Sequence, residues 1–213
     1  MTDGLHLPLI LAAALLASAS PGPATLAIAG TAMKSGRKYG LAVAAGILTG
    51  SLVWSTAAAC GLGAAMLANA WVFEVLRWFG AGYLIFLAVK SARSALKPGE
   101  PALRGLGLHN GGQTSLKRMY LSGLALHLTN PKAILFFGAL YAVGVPAGAT
   151  PADLATVILA IGAQSTLVFH GYALLFSSAP VARGYLRLRR WFEGAFAIGF
   201  GYAGVKILTA RLY

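Results

Sequence analysis

Charge is scarce in this chain, and acid is scarcest. Only 10% of its 213 residues are charged, against about 25% in a soluble domain. Asp and Glu together number five, beside 17 Lys and Arg. Three long runs, 4–33, 39–73 and 154–182, carry no charge at all. Each exceeds the ~20 residues that span a bilayer, which excludes an ordinary water-soluble domain. Cysteine is as rare. The single Cys60 permits no internal disulfide, and its Ala/Gly-rich surroundings read it as a small packing residue.

What fills the space is apolar: 58% of the chain is hydrophobic. Two further segments, 78–89 and 194–205, are shorter but span if Arg77, Lys90, Arg190 and Lys206 snorkel to the interfaces. A sixth, 119–143, is interrupted by one cation, Lys132. The expectation is an all-α integral membrane protein. Its six transmembrane helices lie at about 5–33, 39–68, 71–96, 119–143, 152–180 and 191–211.

The net charge of +12 is arranged by topology rather than as a nucleic-acid surface. Thirteen of the seventeen cations fall in three segments. Lys34, Arg37 and Lys38 follow helix 1; Lys90, Arg93, Lys97, Arg104, Lys117 and Arg118 follow helix 3; Arg183, Arg187, Arg189 and Arg190 follow helix 5. The positive-inside rule puts these in the cytoplasm and both termini outside it. The stretch "LLASAS" imitates a signal-peptide cleavage site. Asp3 is the only charge before Lys34, however, so the positive n-region is missing and helix 1 is read as retained.

The Gly- and Pro-rich connection "KPGEPALRGLGLHNGGQTS" reads as a flexible cytoplasmic linker. It divides a single transmembrane domain, 1–213, into a first repeat at about 1–97, a linker at about 98–117 and a second repeat at about 118–213. The halves echo one another in order. "SPGPATLAIAG" in helix 1 answers "TNPKAILFFG" in helix 4, and "AAGILTGSLVW" answers "AIGAQSTLVF". "AVKSARSAL" answers "GVKILTARL". Three helices is an odd number, so the repeat is inverted (3+3). Inverted repeats with helices broken in corresponding positions mark secondary transporters.

Both breaks share a local chemistry. Ser20 precedes Pro21 and Asn130 precedes Pro131; Ser and Asn are preferred N-caps, and Pro the preferred first helical residue. Each site reads as the start of a half-helix near mid-membrane, offering unpaired N–H groups and a positive dipole end. Helices 1 and 4 run in opposite senses, so both positive ends converge on the midplane and suit a carboxylate. Lys132 lies straight after the second break and is a functional candidate by position. Its alternative is to snorkel or to pair with a backbone carbonyl.

The expected binding set is Ser20, Pro21, Gly22, Pro23, Thr25, Asn130, Pro131, Lys132 and Gln164. His127 and His170 are proton-carrying candidates. Thr49, Ser51, Thr129 and Thr166 are further polar residues in the helices, where packing competes with ligand contact. Gly36, Gly40, Gly46 and Gly50 form a spaced series, and Gly46 with Gly50 is a G-x-x-x-G packing motif. All five acids, Asp3, Glu74, Glu100, Asp153 and Glu193, fall at expected helix ends or loops, with Glu74–Arg77 and Arg190–Glu193 spaced as interfacial pairs. No carboxylate is left within the expected spans to hold a cationic group, which disfavours a cationic ligand.

"SPGP", the spaced glycines and "NPKAILFFGAL" resemble the lysine-exporter/homoserine–threonine-resistance (LysE/RhtB) family over nearly the whole chain. Two departures are visible: Ala24 follows the PGP where members often carry a polar residue, and "AVGVPAG" follows helix 4 in place of a proline–glutamine–phenylalanine pattern. The resemblance implies a bacterial inner-membrane exporter of amino acids or related metabolites, driven by the proton motive force and often a homodimer. It carries over to Pro21, Gly22, Pro23, Asn130, Pro131 and Lys132. Expected partners are an amino-acid substrate, protons and lipids, with no nucleic acid and no cofactor.

Other readings fit less well. An intramembrane enzyme built on a Ser with His127 or His170 finds no acidic orienting partner and no nucleophile elbow. Efflux of another metabolite or a metal ion by the same fold stays open, although two separated histidines are poor metal ligands. A non-transporting scaffold gives no reason for paired breaks or for Lys132.

Overall fold

A computed structural model describes residues 6–68, 70–96, 115–146 and 148–209, and every element in them is a helix. The helices are α1 (Leu7–Ala19), α2 (Pro23–Ser35), α3 (Arg37–Ala68), α4 (Ala70–Leu96), α5 (Leu116–Leu128), α6 (Pro131–Gly144), α7 (Pro151–Leu175) and α8 (Ala179–Thr209). The first and fourth expected helices are thus each two, joined at the breaks. Both expected termini and most of the linker (97–114) lie outside the described residues, while Ser115 already caps α5 through a bond from the Arg118 N–H at 3.2 Å.

The first break is built differently from the expectation. Ser20 closes α1 rather than opening α2: its N–H donates to Leu16 O at 2.9 Å and its ψ is 141°. Pro21 is the cause, because proline pushes the residue before it out of the helical region. Gly22, extended at φ −165° and ψ 178°, is the N-cap of α2, and Pro23 is its first helical residue. The chain bends by 50° across this break. The second break follows the expectation. Asn130 is the N-cap of α6, its Oδ1 accepting the Lys132 N–H at 3.1 Å, with Pro131 behind it.

The arginine-rich segment expected to be a loop before residue 191 is helical, since α8 starts at Ala179. Arg and Leu are good helix formers, and Pro180 sits in the first turn, where it costs little. Glu193 therefore lies in mid-helix, not at an interfacial end, and is buried at 4% exposure. Cys60 is exposed rather than packed.

α3 over Arg37–Gly61 and α7 over Pro151–Leu175 are each long and apolar enough to cross a membrane, and the bent α1–α2 pair makes a third such segment. The outer surface is correspondingly greasy: Leu167 and Ile198 are each 76% exposed. Inside, α4 lies along α8, and α3 lies along both α5 and α7. One core cluster joins α1, α4, α6, α7 and α8 around Tyr141, Phe136 and Phe200; another joins α2, α3, α5 and α7 around Ile28, Ile47 and Phe169.

The glycine series has a clear use at the α3–α5 seam. A Cβ on Gly46 would fall 2.0 Å from Tyr120 O, and one on Gly123 of α5 would fall 2.4 Å from Val43 O. Backbones approach that closely only without side chains between them. Gly36, at φ 96°, makes the turn from α2 to α3, a conformation that L side chains rarely adopt.

Candidate functional site

Four helix ends meet at the two breaks, and Lys132 is the side chain among them. Its ammonium donates to Ala17 O at 3.1 Å and Ser20 O at 3.4 Å, and makes a short contact with Ser20 Oγ. These are carbonyls from the last turn of α1, the negative end of that helix, so Lys132 of α6 caps α1. A second strut comes from α7, where the Tyr172 hydroxyl donates to Ala19 O at 2.6 Å. A third comes from α4, where the Tyr83 hydroxyl donates to the Lys132 carbonyl at 3.3 Å.

The two half-helix starts are not equivalent. Asn130 closes the α6 end by itself: Oδ1 takes the Lys132 N–H, and its carbonyl takes the N–H groups of Ala133 at 2.9 Å and Ile134 at 3.2 Å. At α2, Thr25 Oγ1 accepts the Gly22 N–H at 3.0 Å. The amides of Ala24 and Thr25 have no acceptor among the described residues. Ser20 does not serve them: its hydroxyl donates to Ala17 O at 3.0 Å, and its oxygen meets the Lys132 ammonium instead. The open positive end is therefore that of α2, and Gly22 leaves room beside it: a Cβ there would stand 3.4 Å from Lys132 Nζ.

Two cavities adjoin this point, and Ser20, Gly22 and Lys132 line both. The larger, about 270 Å³, is a vestibule between the start of α2 and the α4–α8 pair; Pro21, Pro23, Lys90, Ser94 and Glu193 are on its walls. The smaller, about 50 Å³, has room for about a water or two and is lined mainly by apolar side chains such as Ala14, Phe136, Phe137 and Ile161. Besides Ser20 and Lys132, its polar groups are Ser18, Thr25, Ser51, His127, Asn130 and Ser165. His127 Nε2 lies 3.0 Å from Ser51 Oγ, its ring packs edge-on to Phe169, and its Nδ1 has no partner among the described residues. Gly50 makes room for that imidazole, for a Cβ there would lie 2.9 Å from His127 Cβ.

Most of the expected set is thus brought together: Ser20, Pro21, Gly22, Pro23, Thr25, Asn130, Lys132 and His127 all line one cavity or the other. Pro131 is exposed behind the break and lines neither. Gln164 lines neither, and the next residue, Ser165, faces the small cavity instead. His170 lies away from both, with Nδ1 3.0 Å from Thr166 O on its own helix. Ser165, Tyr172, Ser94 and Glu193 are contributors that sequence reading passed over.

The chain is 32% identical to a threonine efflux protein of Escherichia coli (strain K12) over 204 residues, covering 92% of this chain and 94% of the relative. It is 29% identical to the threonine efflux protein of Salmonella typhi over 199 residues, at the same coverage. A leucine efflux protein of Enterobacter sp. (strain 638) is 30% identical over 195 residues, 91% of this chain and 89% of the relative. No solved structure matches. Residues 15–211 match the LysE type translocator family, and the chain belongs to that family of membrane translocators.

Proposed function

We propose that this protein exports a neutral amino acid from the cytoplasm by alternating access around the junction of the two helix breaks. The observation that carries it is Lys132, set between the vestibule and the small cavity beside the open N-terminus of α2. A substrate carboxylate fits there between the ammonium and the Ala24 and Thr25 amides. To take it, Lys132 exchanges α1 carbonyls for carboxylate oxygens, so binding loosens the tie between α1 and α6. The apolar small cavity with Thr25, Ser51 and Ser165 suits a hydroxylated or branched side chain once it expands. The relatives named for threonine and leucine efflux point to the same class.

The six-span, inverted-repeat arrangement is supported by the packing. Exchanging the two halves maps α3–α5 onto α7–α1, α3–α6 onto α7–α2 and α1–α6 onto α5–α2, and all of these pairs pack. Not every pair has its counterpart: α2–α3, α3–α4 and α1–α8 pack more closely than α6–α7, α7–α8 and α5–α4. At the site α4 packs along α6, whereas the vestibule separates α2 from α8. In this reading that asymmetry is the open side, and on the positive-inside rule the Lys90 end faces the cytoplasm. Exchanging the roles of the halves would close this vestibule and open its counterpart outward. Export runs on the proton motive force across a bacterial inner membrane, with both termini outside the cytoplasm.

The test is efflux of threonine and leucine from preloaded cells carrying wild type, Lys132→Ala or Lys132→Arg at matched membrane levels. Losing one hydrogen bond to a charged group is worth roughly 1.5–3 kcal/mol, or about ten- to a hundredfold in apparent affinity. Both variants should lose the wild-type gain, and an uncoupler should abolish it. Normal export by Lys132→Ala would remove the ammonium from the mechanism. Absence of any amino-acid flux from wild type would sink the exporter reading itself.

A further inference from the structure

His127 is a buried polar side chain that the mechanism above does not use. It is 5% exposed on α5 and lines the small cavity together with Ser51, Ser165 and Lys132. Its ring is held from two sides: Nε2 lies 3.0 Å from Ser51 Oγ on α3, and Phe169 of α7 packs edge-on to it. Nδ1 has no partner among the described residues, and a buried polar atom left unpaired is costly. A neutral imidazole carries a proton on one nitrogen and a lone pair on the other. If Ser51 donates to Nε2, the proton sits on Nδ1 and a donor is left over. If Nε2–H donates to Ser51, Nδ1 is a left-over acceptor and the Ser51 hydroxyl keeps a free hydrogen. In both tautomers the pair has an unused hydrogen bond, of opposite sense. A hydroxyl donates and accepts through one atom, so it completes either form, whereas a methyl completes neither.

We infer that the Ser51–His127 pair reads the substrate side chain, taking a hydroxyl as its missing partner and rejecting a methyl in the same place. This rests on the exporter reading and deepens it, for it names the residues that choose among neutral amino acids. With the carboxylate at Lys132 and the α2 amides, the side chain enters the cavity that Lys132 shares with His127. At about 50 Å³ that cavity holds a water or two, so it widens around the side chain. A hydroxyl entering there replaces the hydrogen bonds that water would make. A methyl strands the pair against apolar walls such as Phe136 and Phe169. Stranding a polar group is what lets a hydrogen-bonding pocket discriminate more sharply than an apolar one.

The experiment uses the purified full-length protein in liposomes, with radiolabelled threonine and leucine flux and unlabelled competitors. The competitors are threonine and valine, which has threonine's shape with a methyl in place of the hydroxyl. In wild type, valine should compete about tenfold more weakly than threonine. His127→Gln keeps a polar group for Ser51 near the Nε2 position and removes Nδ1. It should weaken threonine by about that factor and leave valine nearly unchanged, so the gap closes. Ser51→Ala, which trims one hydroxyl from a small side chain, should narrow the gap by about threefold; it decides the matter if His127→Gln fails to reach the membrane or transports nothing. A pair that merely joined α3 to α5 would weaken both competitors alike, and an unaltered gap in the variants overturns the inference while export stands. So does a wild type in which valine competes as well as threonine, or one that carries leucine but not threonine. A wild type that moves neither threonine nor leucine overturns the exporter reading, and this inference with it.

Discussion

Gly46→Ala isolates the closest approach between the two halves. The added Cβ would stand 2.0 Å from Tyr120 O, 2.8 Å from Leu124 N and 2.9 Å from the Tyr120 carbonyl carbon. Ordinary contact begins at 3.4 Å, so α3 and α5 must part by about 1.4 Å. The obstructing atoms are backbone and cannot rotate away. A gap of 0.5–1 Å already forfeits a quarter to a half of each dispersion contact, and overpacking a well-filled site costs roughly 1–3 kcal/mol. Replacing a helical glycine returns about 0.5–1 kcal/mol, which leaves a net loss of about 1 kcal/mol. At roughly 2–4 °C per kcal/mol for a chain of this size, the midpoint should fall by roughly 2–5 °C. The assay is thermal unfolding in detergent, followed by intrinsic fluorescence. The control is Gly138→Ala in α6, where a Cβ meets nothing within 4 Å, and it should be neutral or slightly stabilising. Equal midpoints for the two variants would refute the close backbone contact. Transport should suffer too, because the Ser51–His127 bond crosses the same seam.

Two smaller perturbations test the site's supports. Asn130→Ala removes the cap on the first turn of α6 and should cost about 0.5–2 kcal/mol, read as a lowered unfolding midpoint that Asn130→Ser restores in part; equal midpoints for Ala and Ser would show that the cap contributes nothing. His170→Gln should keep threonine efflux within about twofold, since the ring bonds its own helix and lines neither cavity. Loss of proton-dependent efflux in that variant would route the proton along α7, away from the breaks.

What was legible in the sequence was whatever acts locally. Proline and glycine dictate backbone by their own geometry, so both breaks could be seen in "SPGP" and "TNPK", and one cation in an apolar run could be seen to sit at the second. Which of two prolines opens α2 was harder, for the outcome turned on Pro21 forcing Ser20 out of the helix before Pro23 could begin one. Face was harder still. α7 is apolar on nearly every side, with Leu159 at 71% and Leu167 at 76% exposure beside buried Ile161 and Phe169. A helix wet by lipid loses the polar stripe that marks a solvent face, and nothing in the letters prefers Ser165 to Gln164. The position of Glu193 depended on whether "RGYLRLRR" continues a helix, and a charged stretch reads alike as solvated helix or loop. The partners of Lys132 were hidden for a more basic reason. They are mainly the carbonyls of Ala17 and Ser20, and every residue carries a carbonyl, so only the fold selects which ones a lysine meets. That selection matters to mechanism, because an ammonium already held by a helix end must be won by the substrate rather than found waiting for it.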